Sequence, residues 1–263
     1  MCATCLIRTI RRNSILVMAA VSLVLTIPAC AHVDPNVDSY SAQEQAKADS
    51  AIRMLLEKAG TAAPETMFVT AAGIADLSAY LPAEAQSVIG QLDIIPGFRT
   101  DCQRWLAAVY EACTSVSMTI PSRMGRIVRS MEIPEPMSIV NGSTTSATSL
   151  LDDTWSDQLE RELTAELEDQ FARKPENGSS IDEQWNRIVE KYDIWRKAQM
   201  NLSPYSGKPV PAQIGGNIAS HVATLISDMF FTQMAIEEDA IRTTPRPQDD
   251  SLIAQVFTIP AQP

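Results

Sequence analysis

The sequence predicts an all-α fold, an irregular helical bundle. Three features point there. Segments of alternating apolar and polar residues are nearly absent, apolar residues recur at spacings of three and four, and short Pro- or Gly-bearing turns separate those segments. Hydrophobic residues make up 45% of the chain, enough to build a core in one domain.

The elements follow in order. From Ala31 to about Ser41 the chain is polar, carries Pro35 and lacks periodicity, which suits a tether. Ser41 to Lys58 sets Ala46, Ala51, Met54 and Leu55 around a helical face and predicts a helix ending at Gly60, with a linker from Gly60 to Pro64. Met67 to Ala79 fits either strand or helix. Pro82 to Leu92 predicts a short helix, because proline at the first turn gives up no hydrogen bond. Phe98 to Met118 carries Trp105, Val109, Ala112, Cys113 and Val116 at helical spacing and closes before Pro121. Ser122 to Met131 can form another helix, and a short helical piece after Pro134 and Pro136 stops at Asn141-Gly142, a C-capping pair.

The strongest helical signal is Trp155 to Lys174. Trp155, Leu159, Leu163, Leu167 and Phe171 recur every fourth residue, acids fill much of the rest, and Thr154 with Asp157 has capping-box spacing. Its predicted partner is Ile181 to Met200, through Trp185, Ile188, Val189, Tyr192 and Trp195. After a Pro/Gly/Ser loop from Asn201 to Gly216, the long apolar run Ile218 to Ile241 is expected to be the central helix. Leu252 to Phe257 adds a last amphipathic turn.

The N-terminus carries the sharpest functional signal. Arg8, Arg11 and Arg12 precede a 13-residue apolar run, Ile15 to Ile27, and Pro28-Ala29-Cys30, with no acid before Cys30. Basic, apolar and small-residue zones in that order make a secretory signal, and the run is shorter than the roughly 20 residues a spanning helix needs. Ile27-Pro28-Ala29-Cys30 resembles the bacterial lipobox, although proline is an uncommon occupant of its slot. The resemblance implies cleavage before Cys30, acyl chains (palmitate among them) on that cysteine, and stable membrane anchoring. Ala31 in place of an aspartate resembles the outer-membrane default. The alternative is ordinary cleavage near Ala29 or Ala31 with a free product. The expected organisation is therefore a signal peptide over 1–29, a flexible tether over 30–41, a single helical domain over 42–257 and a disordered tail over 258–263.

Loss of the three basic residues before Cys30 takes the net charge from −11 to about −14. Such an acidic surface argues against nucleic acid and against charge-driven binding of anionic head groups. Cys2 and Cys5 form a CxxC, but both precede the cleavage point. Cys102 and Cys113, about 16 Å apart by helical rise, are too distant for a disulfide and are expected to be packed thiols.

The run Ile133 to Leu159 resembles the characteristic segment of the bacterial domain-of-unknown-function 4197 family. Ile133, Ile139, Asn141, Gly142, Thr148, Thr154, Ser156, Asp157, Gln158 and Leu159 match its pattern. The tail Phe230 to Phe257 is similar too, through Glu237-Glu238, Ile241-Arg242 and Val256-Phe257, and the resemblance covers roughly Leu81 to Phe257. It implies a secreted, mostly helical protein, often a lipoprotein, with no established activity. Asp152 and Asp153 stand where relatives tend to be basic, so an anionic ligand meeting that position in relatives should not bind this chain alike.

Candidate sites are few. Asn141, Gly142, Thr145, Thr154 and Asp157 mark a polar loop leading to a helix start, whose free N–H groups could bind an anion, against capping and turn chemistry alone. His221 and Asp228 lie two turns apart on one face beside Ser220. Ser220 and His221 point about 100° apart, poor geometry for proton transfer, so a buried His–Asp hydrogen bond is the favoured reading. P-loop, GxGxxG, HExxH, GxSxG and SxxK motifs are missing, and the helical histidine has no Glu three residues before it. No cofactor or metal ligand set is predicted, and a non-enzymatic protein is favoured over an enzyme.

Three functions follow. The first is a lipid-anchored, periplasm-facing module that binds an envelope protein or a small ligand, or maintains the envelope. The second is an envelope hydrolase using carboxylates such as Asp152, Asp153, Glu237 or Glu238, with or without a divalent cation. The third is a helical assembly protein, which an exposed apolar patch along Trp185, Tyr192 and Trp195 would support. The first is favoured.

Overall fold

The computed structural model describes residues 40–70, 80–81, 90, 93–176, 178–206, 212–214, 217–243 and 251–257. The expected signal peptide, the tail, most of the tether and nearly all of the expected Pro82–Leu92 helix lie outside them. Within the described residues the chain is all-α, with no strand: α1 (Ala42–Thr70), α2 (Phe98–Ser117), α3 (Ile120–Ser130), α4 (Pro136–Val140), α5 (Ser146–Ala172), α6 (Ile181–Ser206), α7 (Ile218–Thr243) and α8 (Ser251–Phe257). None of these helices is long and apolar enough to cross a membrane.

α7 occupies the centre, as its apolar run predicts, packing against α5 on one side and α1 on the other. α3, α4 and α8 lie on α1, while α2 lies on α5 and α6. Leu151, Trp155, Leu159, Leu163, Leu167 and Phe171 of α5 are all buried. Residues four apart advance about 40° around a helix beyond a full turn, so this stripe winds around α5 as it rises. One flat partner could not cover it. α7, α2, α6 and α4 each cover part, which is why the bundle is irregular.

α1 begins at a reciprocal cap. The Ser41 N–H donates to Glu44 Oε2 at 2.8 Å and the Glu44 N–H to Ser41 Oγ at 3.3 Å. The helix then runs through the expected linker to Thr70, a correction with a packing cause. Ala59, Ala63 and Met67 continue the buried face of Ile52, Leu55 and Leu56, and their burial outweighs the local preferences of Gly60 and Pro64. Gly60 permits the close approach of α3, because a Cβ there would collide with the Met124 thioether. α6 runs beyond Met200 to Ser206, past the expected end, while α2 starts at Phe98 behind Gly97, whose φ of 70° needs a glycine.

Of the three aromatic residues whose exposure would have supported an assembly protein, Tyr192 is buried and Trp185 and Trp195 are partly buried against the core. Tyr192 is fully buried and donates its hydroxyl to Ala212 O at 3.0 Å. Trp185 stacks on Trp105 at 4.9 Å and Trp195 leans on Tyr192 at 5.7 Å. These three residues pack inward and form no exposed patch together.

Cys102 and Cys113 are buried free thiols, and burial pushes each up to about 12. A disulfide-exchange reagent at pH 8 should modify neither in the native protein and both after denaturation; fast modification of the native chain would contradict this packing. Leu163→Ala should lower stability by roughly 2–5 kcal/mol in chemical denaturation, because the middle of the α5 stripe cannot collapse toward a single neighbour.

Candidate functional site

The polar loop singled out by sequence ends in a helix N-terminus, but nine residues earlier than expected. α5 starts at Ser146. Thr154 is therefore inside the helix, exposed, with its hydroxyl turned back onto Leu150 O at 2.7 Å, and Asp157 is an exposed residue one turn further. Neither caps anything, so these two stand apart from the loop. Thr145, at the N-cap, makes no side-chain capping hydrogen bond either.

The carboxylate of Glu238 fills that role. It reaches from α7, is fully buried, and accepts the Ala147 N–H at 3.1 Å on Oε1 and the Thr148 N–H at 2.7 Å on Oε2. A helix N-terminus attracts an anion, and here the anion is part of the chain. Arg242, one turn further along α7, closes the arrangement with Nη2 at 2.7 Å from Glu238 Oε1. Its Nη1 donates to Ile139 O at 3.3 Å and Val140 O at 3.2 Å at the end of α4. The guanidinium lies 4.3 Å from the centre of the Phe257 ring on α8. Burial lowers the Arg242 pKa while Glu238 opposes the shift.

The remaining loop residues complete the turn. Asn141 donates to the Tyr40 hydroxyl at 2.9 Å. Gly142 does not adopt a positive φ; it is a glycine because a Cβ would press to 3.0 Å against both Ser138 O and Ser146 Oγ. α4 ends at Asn141 as expected, and Gly142 there allows a close approach between α4 and α5. The loop is exposed, yet two of the N–H groups that would have recognised an anion are taken.

His221 is half-buried on α7, its Nε2 enclosed without a hydrogen-bond partner, while Asp228 is exposed. The expected hydrogen bond between them does not form through that nitrogen. Glu237 Oε1 accepts from Gln233 at 3.2 Å, apart from the buried Glu238. Among the described residues no cluster of three or more His, Cys, Asp or Glu is placed to hold a metal.

What the sequence reading missed is the basic character of α3. Its eleven residues, IPSRMGRIVRS, hold three arginines and no acid, in a chain with 32 acids. Two surface clefts flank it. One of about 380 Å³ lies between α1 and α3, beside Glu57, Ser122, Gly125 and Arg129. Another of about 240 Å³ lies between α3 and α5, lined by Arg123, Arg126, Ile127 and Ser130 on one side and Trp155, Gln158 and Glu162 on the other. Arginines at every third position with no acid between them were the available signal.

Removing Glu238 strands a buried cation and two N–H groups, so Glu238→Ala should cost roughly 3–5 kcal/mol. Arg242→Met added to it should recover part of that loss, because the charge left behind goes too. A double-mutant cycle in urea checks this, and strictly additive losses would show that the pair is not coupled.

The chain matches the family described as protein of unknown function (DUF4197) over residues 42–258, which extends the likeness N-terminally from Leu81 to the start of α1. Neither the curated proteins nor the solved structures include a match to it. With the match spanning the whole described bundle, the chain belongs to the DUF4197 family.

Proposed function

We propose that this is a lipid-anchored protein of the bacterial cell envelope, held on the outer membrane with its helical domain facing the periplasm, where it acts as a binding or envelope-maintenance module. The N-terminal sequence carries this reading: three arginines, a 13-residue apolar run and Ile27-Pro28-Ala29-Cys30. The spacing to the domain supports it, since the bundle begins at Ala42 and the family match at 42, leaving a polar stretch after Cys30 long enough to serve as a tether. A binding role fits better than hydrolysis. Glu238 is committed to Arg242 and the start of α5, so the acid pair at 237–238 is not available to polarise water.

The test is intact mass and detergent-phase partitioning of the protein made in a bacterial host, with Cys30→Ala beside it. A chain beginning at Cys30, heavier by acyl groups and partitioning with detergent, with the acyl mass lost in Cys30→Ala, is the expected result. An unmodified, freely soluble wild-type product would sink the anchor.

A further inference from the structure

Asn141 and Gly142 stand in the order that lets a chain react with itself. A backbone nitrogen can attack the side-chain carbonyl of the asparagine before it, and a glycine, having no side chain, leaves that path open. Both residues are exposed, so the water and base that the reaction needs can reach them. The chain holds a second such pair in Asn177-Gly178, whereas Asn201 is followed by Leu202, whose bulk obstructs the attack.

The fold holds Asn141 shut in three ways. Its φ of −84° and ψ of −1° are helical and turn the Gly142 nitrogen away from the carboxamide carbon. The Gly142 N–H donates to Ile139 O, though at a long 3.4 Å. The amide nitrogen of Asn141, the group that would leave, donates to the Tyr40 hydroxyl at 2.9 Å. The first two restraints lie within α4 and its end, but the third comes from Tyr40, just before the Ser41 cap of α1. Gln45 Oε1 accepts the Met137 N–H at 3.4 Å, so the start of α1 grips α4 near both of its ends.

We propose that Asn141 is a self-modification site, kept unreactive by the grip of Tyr40 and converted to aspartate or isoaspartate once that grip is lost. The Gly142 nitrogen gives its proton to solvent and bonds to Asn141 Cγ. The Cγ–Nδ2 bond then breaks, and the amide takes a proton from solvent and leaves as ammonia. Water opens the cyclic imide at one carbonyl or the other, which gives the two products without any change of oxidation state. Isoaspartate adds a methylene to the main chain where a Cβ on Gly142 would already meet Ser138 O and Ser146 Oγ at 3.0 Å. Ser146 Oγ holds Ile139 O at 2.8 Å and lies 3.4 Å from Arg242 Nη2, so the disturbance reaches the buried Glu238–Arg242 pair. The reaction thus records detachment of the start of α1 and loosens the end of the bundle that it left. It goes beyond the binding role proposed above and does not depend on the lipid.

The experiment incubates the protein as the bacterial host makes it, wild type beside Tyr40→Phe, at mildly alkaline pH. Peptide mapping by mass spectrometry follows Asn141, Asn177 and Asn201, and wild type in guanidinium gives the rates without the fold. Conversion at Asn141 should be slow in the native wild type, about twofold to tenfold faster in Tyr40→Phe, the factor one hydrogen bond is worth, and fastest in guanidinium. Asn177 should react alike in the two native proteins, which excludes general loosening as the cause, and Asn201 should stay intact throughout. Tyr40→Phe removes one exposed hydroxyl and keeps the ring, so the bundle should retain its helical circular dichroism. Equal rates at Asn141 in the two native proteins, an acceleration shared by Asn177, a native wild type as fast as the unfolded chain, or no product at Asn141 in guanidinium would each overturn the proposal.

Discussion

The buried carboxylate of Glu238 ties the first turn of α5 to α7, and through Arg242 it also holds the last carbonyls of α4 and the ring of Phe257 on α8. Desolvating two charges is costly, and their mutual attraction alone often fails to offset it. Here the ions also satisfy two N–H groups at the start of one helix and the Val140 carbonyl at the end of another, where Ile139 O already accepts from Ser146 Oγ. The charges complement the helix dipoles at both places. The pair fixes which helix ends meet, so it specifies the topology of this end of the bundle more than it adds to the stability of any one element.

That constraint explains why α5 and α7 can form the spine despite unequal surfaces. α7 is apolar over much of its circumference and accepts α1 and α5 together. α5 carries a winding stripe that leaves one neighbour and meets the next. Anchoring the N-terminus of α5 to the last turns of α7 sets the register between them, and the successive partners of the stripe follow from that register. A bundle of straight, parallel seams would have needed apolar residues at alternating spacings of three and four.

Helix existence and the buried faces were legible in the sequence because periodic burial is a local pattern. Ends were less so, for reasons that individual residues make plain. Ser41 with Glu44 and Ser180 with Glu183 both form reciprocal caps, whereas Thr154 with Asp157, which has the same spacing, sits inside α5. The spacing is necessary but does not say where the chain turns. At Ser146 no local side chain caps the helix, because the acceptor comes from a residue more than ninety positions away. Gly60, Pro64 and Gly142 look like breaks, yet the first makes room for the Met124 side chain and the last for the Ser138 carbonyl and Ser146 side chain. Trp185, Tyr192 and Trp195 look equally amphipathic whether they face solvent or a second layer, and only the position of α2 decides it.

The same pair also redirects the question of ligands. A helix N-terminus after a polar loop is the first place to look for an anion, and an internal carboxylate already occupies it. The arginines of α3 stand in the long-range field of an acidic protein, which opposes an approaching anion. The two effects act over different distances. Repulsion from dispersed surface carboxylates is screened within about 8 Å at physiological ionic strength, while contacts inside a cleft are screened much less. Added inert salt therefore weakens the general repulsion more than it weakens a half-buried ion pair such as Arg123 with Glu162. α3, with three arginines in an acidic chain, is held to α5 by such a pair, so that contact depends less on ionic strength than the repulsion among the dispersed acids does.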